Sequence, residues 1–103
     1  MTLHDMRPGS ALRVLTEHTC YTIRMVFGRI ALISGHPLYC PEPVLVTICG
    51  STWGLLGLRD GLVGRGMRLK FHHPDYGTSV TTSSIREIRS CPEIESWRIT
   101  ALV

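Results

Sequence analysis

The sequence predicts an all-β protein: one small barrel or roll of about six or seven mainly antiparallel strands, with at most one short helical turn. Three observations carry that expectation. Apolar and polar residues alternate with a period of two at 21–27, 67–72 and 97–103, the mark of strands with one buried face. Ten glycines and six prolines are scattered through 103 residues, so no long stretch is free of a helix breaker. Six of those glycines, Gly50, Gly54, Gly57, Gly61, Gly64 and Gly66, crowd one leucine-rich stretch. Each weakens a helix by about 1 kcal/mol relative to alanine, so the stretch reads as an apolar loop feeding a strand.

The elements follow in order. Residues 1–9 are largely polar and end in Pro8-Gly9, which reads as a flexible N-terminal arm before a single β domain at 10–103. Residues 11–16 form a short strand with Leu12 and Val14 on one face, and Glu17-His18-Thr19 supplies a turn. From 20 to 27, Tyr21, Ile23, Met25 and Phe27 face one side while Thr22 and Arg24 face the other. Residues 30–34 resume after Gly28-Arg29 and read as a central strand. Pro37, Pro41 and Pro43 remove ladder donors, which delays pairing until Val44. The run 44–49, Val-Leu-Val-Thr-Ile-Cys, is apolar on both faces and predicts a strand covered on both sides.

Beyond the glycine loop, Met67, Leu69 and Phe71 are expected inward and Arg68, Lys70 and His72 outward. Pro74-Asp75-Tyr76-Gly77 has the chemistry of a tight turn and leads into a threonine-rich strand at 78–82, closing a hairpin. Ser84-Ile85-Arg86-Glu87 matches a capping box, predicting one helical turn that carries Ile85 and Ile88 inward and stops before Cys91-Pro92. The tail alternates again, with Trp97, Ile99, Ala101 and Val103 on one face of a last strand. Closing such short strands on themselves suggests an SH3-like or OB-like barrel.

At 11.5 kDa the chain closes a single core, and 44% hydrophobic with 18% charged residues is ordinary globular composition, against disorder or a coiled coil. No apolar run approaches the roughly 18 residues of a spanning helix, and the N-terminus holds no signal-peptide core. The expectation is a cytoplasmic protein with no membrane partner. Cys20, Cys40, Cys49 and Cys91 show no paired spacing, which in that setting predicts reduced thiols and no metal site. No catalytic motif is present; His72 and His73 are adjacent on a strand and point to opposite faces. None of the glycine spacings is the dinucleotide fingerprint, and no cofactor is implied.

The runs Gly-Ser-Thr-Trp-Gly at 50–54, Gly-Arg-Gly-Met-Arg-Leu-Lys-Phe at 64–71 and Thr-Thr-Ser-Ser-Ile-Arg-Glu-Ile at 81–88 resemble short, uncharacterised bacterial proteins of small β-domain type. The resemblance covers the C-terminal two-thirds of the chain, implies a small β fold, and transfers no functional residue.

Two functional readings remain. A non-catalytic interaction module, self-associating as a homodimer, follows from the apolar loop: Trp53, Leu55, Leu56, Leu58, Leu62 and Val63 need cover from a second copy, or else fold back as a lid. Nucleic-acid binding follows from a formal charge of +3 and the outward row Arg65, Arg68, Lys70 and His72, with Trp53 and Tyr76 placed to stack on bases.

Overall fold

The computed structural model describes residues 6–53 and 57–91. Among these residues seven strands follow one another: β1 (Ala11–Thr16), β2 (Cys20–Phe27), β3 (Ile30–Ser34), β4 (Val44–Thr52), β5 (Leu58–Asp60), β6 (Arg68–His72) and β7 (Val80–Ser90). Six close a barrel in the order β3-β2-β1-β7-β6-β4, shut by the β3–β4 pairing; β5 is an extra strand on β4. All ladders are antiparallel. With β5 set aside, each barrel strand lies beside the barrel strands before and after it in sequence, unlike the five-stranded Greek key of an OB barrel. Among the described residues no helix is long and apolar enough to cross a membrane.

Period-two patterning puts one side chain in two into the lumen. Val14, Ile23, Ile33, Ile48, Leu69 and Phe71 are among those buried there. The N-terminal approach is tied to this body: the Gly9 amide donates to the Met25 carbonyl at 2.7 Å, and Met6 packs on the core. The expected last strand at 96–103 lies outside the described residues.

β4 is the strand around which the closure turns. One of its edges meets β6 from Thr47 to Thr52; the other meets β3 up to Thr47 and then β5 from Gly50. Gly50 makes that second contact possible. Its φ is +138°, and a Cβ there would stand 2.2 Å from the Arg59 carbonyl oxygen, so any other residue would push β5 away. The Arg29 guanidinium, in the turn between β2 and β3, clasps the Asp60 carboxylate and fastens β5 to the barrel wall.

Three expectations need correcting. β4 is covered on one face only, since Leu45 is 51% exposed while Val46 and Ile48 are buried; a single-layer barrel has nothing outside it to cover the other face. Phe27 is 74% exposed because a bulge between Met25 and Phe27 breaks the alternation of β2. The helical turn at 84–87 is absent, and the strand expected at 78–82 instead runs from Val80 to Ser90. In β7 Ser84 stands opposite Arg68, Glu87 opposite Leu15 and Ile88 opposite Val14. The bulge at Leu15/Thr16 lets Ile85 and Ile88, three apart, both turn toward the core, and that spacing mimics a helix in the sequence. Satisfying the open edge of β1 outweighs one capped turn.

Candidate nucleic-acid interface

β6 presents the cationic row. Met67, Leu69 and Phe71 are buried, so Arg68, Lys70 and His72 stand on the outer surface of the barrel, Arg68 and His72 exposed and Lys70 half-buried. Their ladder neighbours are neutral. Arg68 lies between Thr52 and Ser84, Lys70 between Gly50 and Thr81, and His72 beside Thr47. Among the described residues no carboxylate is a ladder partner of the row.

The nearby acids are paired with other arginines, and Glu87 also lines a cleft beside Arg65 and feels its charge. Asp60 holds Arg29, with Nη2 donating to Oδ2 at 2.6 Å, Glu17 meets Arg86 at 3.7 Å, and Glu87 accepts from Arg89 at 2.9 Å. The Arg89 hydrogen bond holds the Glu87 carboxyl below the usual carboxylate range, and the Asp60 hydrogen bond raises Arg29 above its ordinary value. Among the described residues no salt bridge involves Arg65, Arg68 or Lys70.

Arg65 and Trp53 gather at the Arg68 end of the row. The Arg65 Nε donates to the Arg86 carbonyl at 3.2 Å, which holds this exposed side chain against β7. Arg65 and Arg86 then share a cleft of about 900 Å³ whose floor includes Leu15, Val63 and Ile88. Trp53 follows Thr52, the partner of Arg68, and its six-membered ring lies over Gly66, 3.2 Å from where a Cβ would sit. Glycine at 66, with φ +82°, lets the indole settle on the turn that carries Arg65 while remaining 47% exposed. Arg86 was missed by sequence reasoning because the capping-box reading placed it on a helical turn.

Tyr76 does not join this group. It lies past the other end of β6, half-buried and edge-on to Tyr39 at 5.3 Å and to His73 at 4.8 Å, and serves there as a packed ring. His72 and His73 point apart as the strand geometry requires, His72 outward and His73 buried, and among the described residues no group of three metal-ligating side chains gathers.

The apolar set divides. Val63 is buried in the core and Leu62 is half-buried, its carbonyl accepting from the Ser51 hydroxyl at 2.6 Å, so this part of the loop folds back as a lid and Val63 offers nothing to an interface. Trp53 and Leu58, the latter 43% exposed on β5, remain outside. Leu55 and Leu56 lie outside the described residues. None of the four cysteines is in a disulfide; burial pushes the Cys40 thiol above its ordinary pKa, against nucleophilic use. No protein-family model, curated protein or solved structure matches this chain, so its site stands on its own geometry.

Proposed function

We propose that this small barrel is a non-catalytic binding module that holds single-stranded nucleic acid along the outer face of β6. The observation that supports it best is the row Arg68-Lys70 flanked by hydroxyls and glycine, with Arg65 and the exposed Trp53 indole at one end. Cations there neutralise phosphates, and the indole offers a face on which any base can stack. A single strand suits the site because its bases are open to stacking, whereas a duplex hides them.

The charge predicts the salt dependence. Three cations, Arg65, Arg68 and Lys70, give a log-log slope with salt of about −2 for a single strand, at roughly 0.7 per phosphate neutralised. Fluorescence anisotropy with labelled single-stranded and duplex oligonucleotides at low salt tests the reading. Arg68→Glu with Lys70→Glu should abolish binding without changing the sheet spectrum, and Trp53→Ala should weaken single-strand binding by about 1–3 kcal/mol. The reading fails if the wild-type chain shows no binding at tens of micromolar, tighter than the weak end of non-specific affinity near 10⁻⁴ M.

Self-association is supported by a separate observation: β5 pairs with β4 alone among the described strands, leaving an edge with Leu58 exposed beside it. Two copies joined there would form a symmetric pair, leaving β6 accessible. Sedimentation velocity across a dilution series decides it, with a chain that stays monomeric at high micromolar concentration ruling it out.

A further inference from the structure

The mouth of the barrel beyond His72 is built from one motif used twice. His36-Pro37-Leu38-Tyr39, in the connection from β3 to β4, and His73-Pro74-Asp75-Tyr76, in the turn from β6 to β7, share the pattern His-Pro-x-Tyr. In each, the imidazole folds back over its own turn. His36 Nδ1 accepts the Leu38 amide at 3.1 Å and the Tyr39 amide at 3.2 Å, and His73 Nδ1 accepts the Asp75 amide at 3.0 Å. The tyrosine of each motif packs on its own histidine, with ring centroids 4.7 Å apart for His36 and Tyr39 and 4.8 Å apart for His73 and Tyr76. The two tyrosines then join the turns to one another, 5.3 Å apart with planes at 74°.

A nitrogen that accepts an amide must offer a lone pair, so both turns require Nδ1 to be free of a proton. The imidazolium carries a proton on each nitrogen and accepts at neither. Three amide N–H groups would then face an N–H; whether the ring swings away or the turn opens, the bonds that hold each turn are lost. The groups packed around the two rings do not offset this. Tyr21 of β2 stacks on His36 at 6.3 Å, and the Cys40 amide bonds the His36 carbonyl at 3.0 Å. Burial raises both the Tyr21 phenol and the Cys40 thiol, so neither supplies a charge where histidine titrates. His72 faces outward, on the other side of β6. Among the described residues the carboxylates at the mouth are Glu42 and Asp75, both exposed, which line with His73 the open pocket between the two turns. Solvent screens their attraction for an imidazolium, whereas the amides bond Nδ1 directly. The His73 ring, 5% exposed, also has little water around it to hold a charge.

We propose that the mouth is a pH-sensitive latch: the two histidine-capped turns hold it shut while both imidazoles are neutral, and proton uptake at His36 and His73 releases the Tyr39–Tyr76 contact while the barrel stays closed. The open mouth binds more protons than the closed one, so closure is complete at the alkaline end and is lost as pH falls. Each proton taken up raises the ratio of open to closed about tenfold per pH unit, and two raise it about a hundredfold. The proposal does not depend on the nucleic-acid reading, since neither turn contains a residue of the β6 row.

NMR of the full chain between about pH 8 and about pH 5, the range in which histidine changes charge, tests it. The Leu38, Tyr39 and Asp75 amide resonances should move together with the titration of the His36 and His73 rings. Ring-to-ring NOEs between Tyr39 and Tyr76 should fade over the same steps, while the ladder between β1 and β2 keeps its own. His36→Asn with His73→Asn supplies the control, because an asparagine oxygen can accept the same amides and takes up no proton in this range. That variant should keep the Tyr39–Tyr76 NOEs at both ends of the range, with its sheet spectrum as the check on folding; should it not fold, the wild-type titration decides alone. Rings that stay neutral down to the acid end, rings that protonate while the three amides and the NOEs stay unchanged, or a folded variant whose NOEs fade as they do in the wild type would each overturn the proposal.

Discussion

The outer face of β6 and the mouth beyond its last residue are one residue apart in sequence and opposite in chemistry. The face is cationic, convex and flanked by hydroxyls, whereas the mouth is aromatic, concave and rimmed by acids. His72 belongs to the first and His73 to the second, because successive side chains of a strand leave on opposite sides. A barrel this small can keep two surfaces of unlike charge because its wall is a single strand thick.

The largest expected effect removes what the two regions share. Phe71 is fully buried on the inner side of β6 and meets Tyr21 edge-on at 6.2 Å; Tyr21 in turn stacks on His36, which packs against Tyr39 in the mouth. Phe71→Ala should cost about 3–5 kcal/mol, a large part of the roughly 5–15 kcal/mol that holds a domain folded. Urea denaturation measures it, and oligonucleotide binding should be lost together with the packing of the mouth. A cost below about 1 kcal/mol would show that the ring is not the shared support of face and mouth.

Smaller effects should separate the regions. Arg68→Glu with Lys70→Glu should remove oligonucleotide binding and leave the urea midpoint nearly unchanged; Tyr76→Leu, which removes the ring packed on Tyr39 and His73, should lower that midpoint and leave oligonucleotide binding unchanged. If either variant changed both readouts while keeping the wild-type sheet spectrum, face and mouth would be coupled, and the contrast between them would fall.

The two regions also differ in how far they could be read from residues. The β6 row is a local property: Met67, Leu69 and Phe71 alternate with Arg68, Lys70 and His72, and the barrel preserves that alternation. The mouth is a meeting of two turns more than thirty residues apart, and nothing local in His36-Pro37-Leu38-Tyr39 or His73-Pro74-Asp75-Tyr76 announces that their rings touch. Bulges account for two of the other departures. They expose Phe27 in β2 and set Ile85 and Ile88 on one side of β7, and where a ladder slips is decided by the partner strand. The apolar loop shows the same limit, since its leucine and valine spacing did not reveal that Val63 enters the core while Leu58 stays outside on β5.

The smallest effect concerns Tyr21, which links the shared core to the mouth. Burial, with a further push from the neighbouring Cys40 thiol, raises its phenol from 10.0 to about 12, against a downward pull from a hydrogen bond with the Thr19 side chain. The folded chain therefore keeps this proton while the unfolded chain gives it up. Between pH 10 and about 12 the unfolded state binds fewer protons, so stability falls with rising pH across that window and is fully present below it. Tyr21→Phe removes the phenol and should flatten this part of the curve while preserving the ring contacts with Phe71 and His36. Urea midpoints of both proteins across the window measure the difference. Curves that stay parallel would show that Tyr21 loses its proton as readily in the barrel as in the open chain, and that the boundary between core and mouth is wetter than its packing implies.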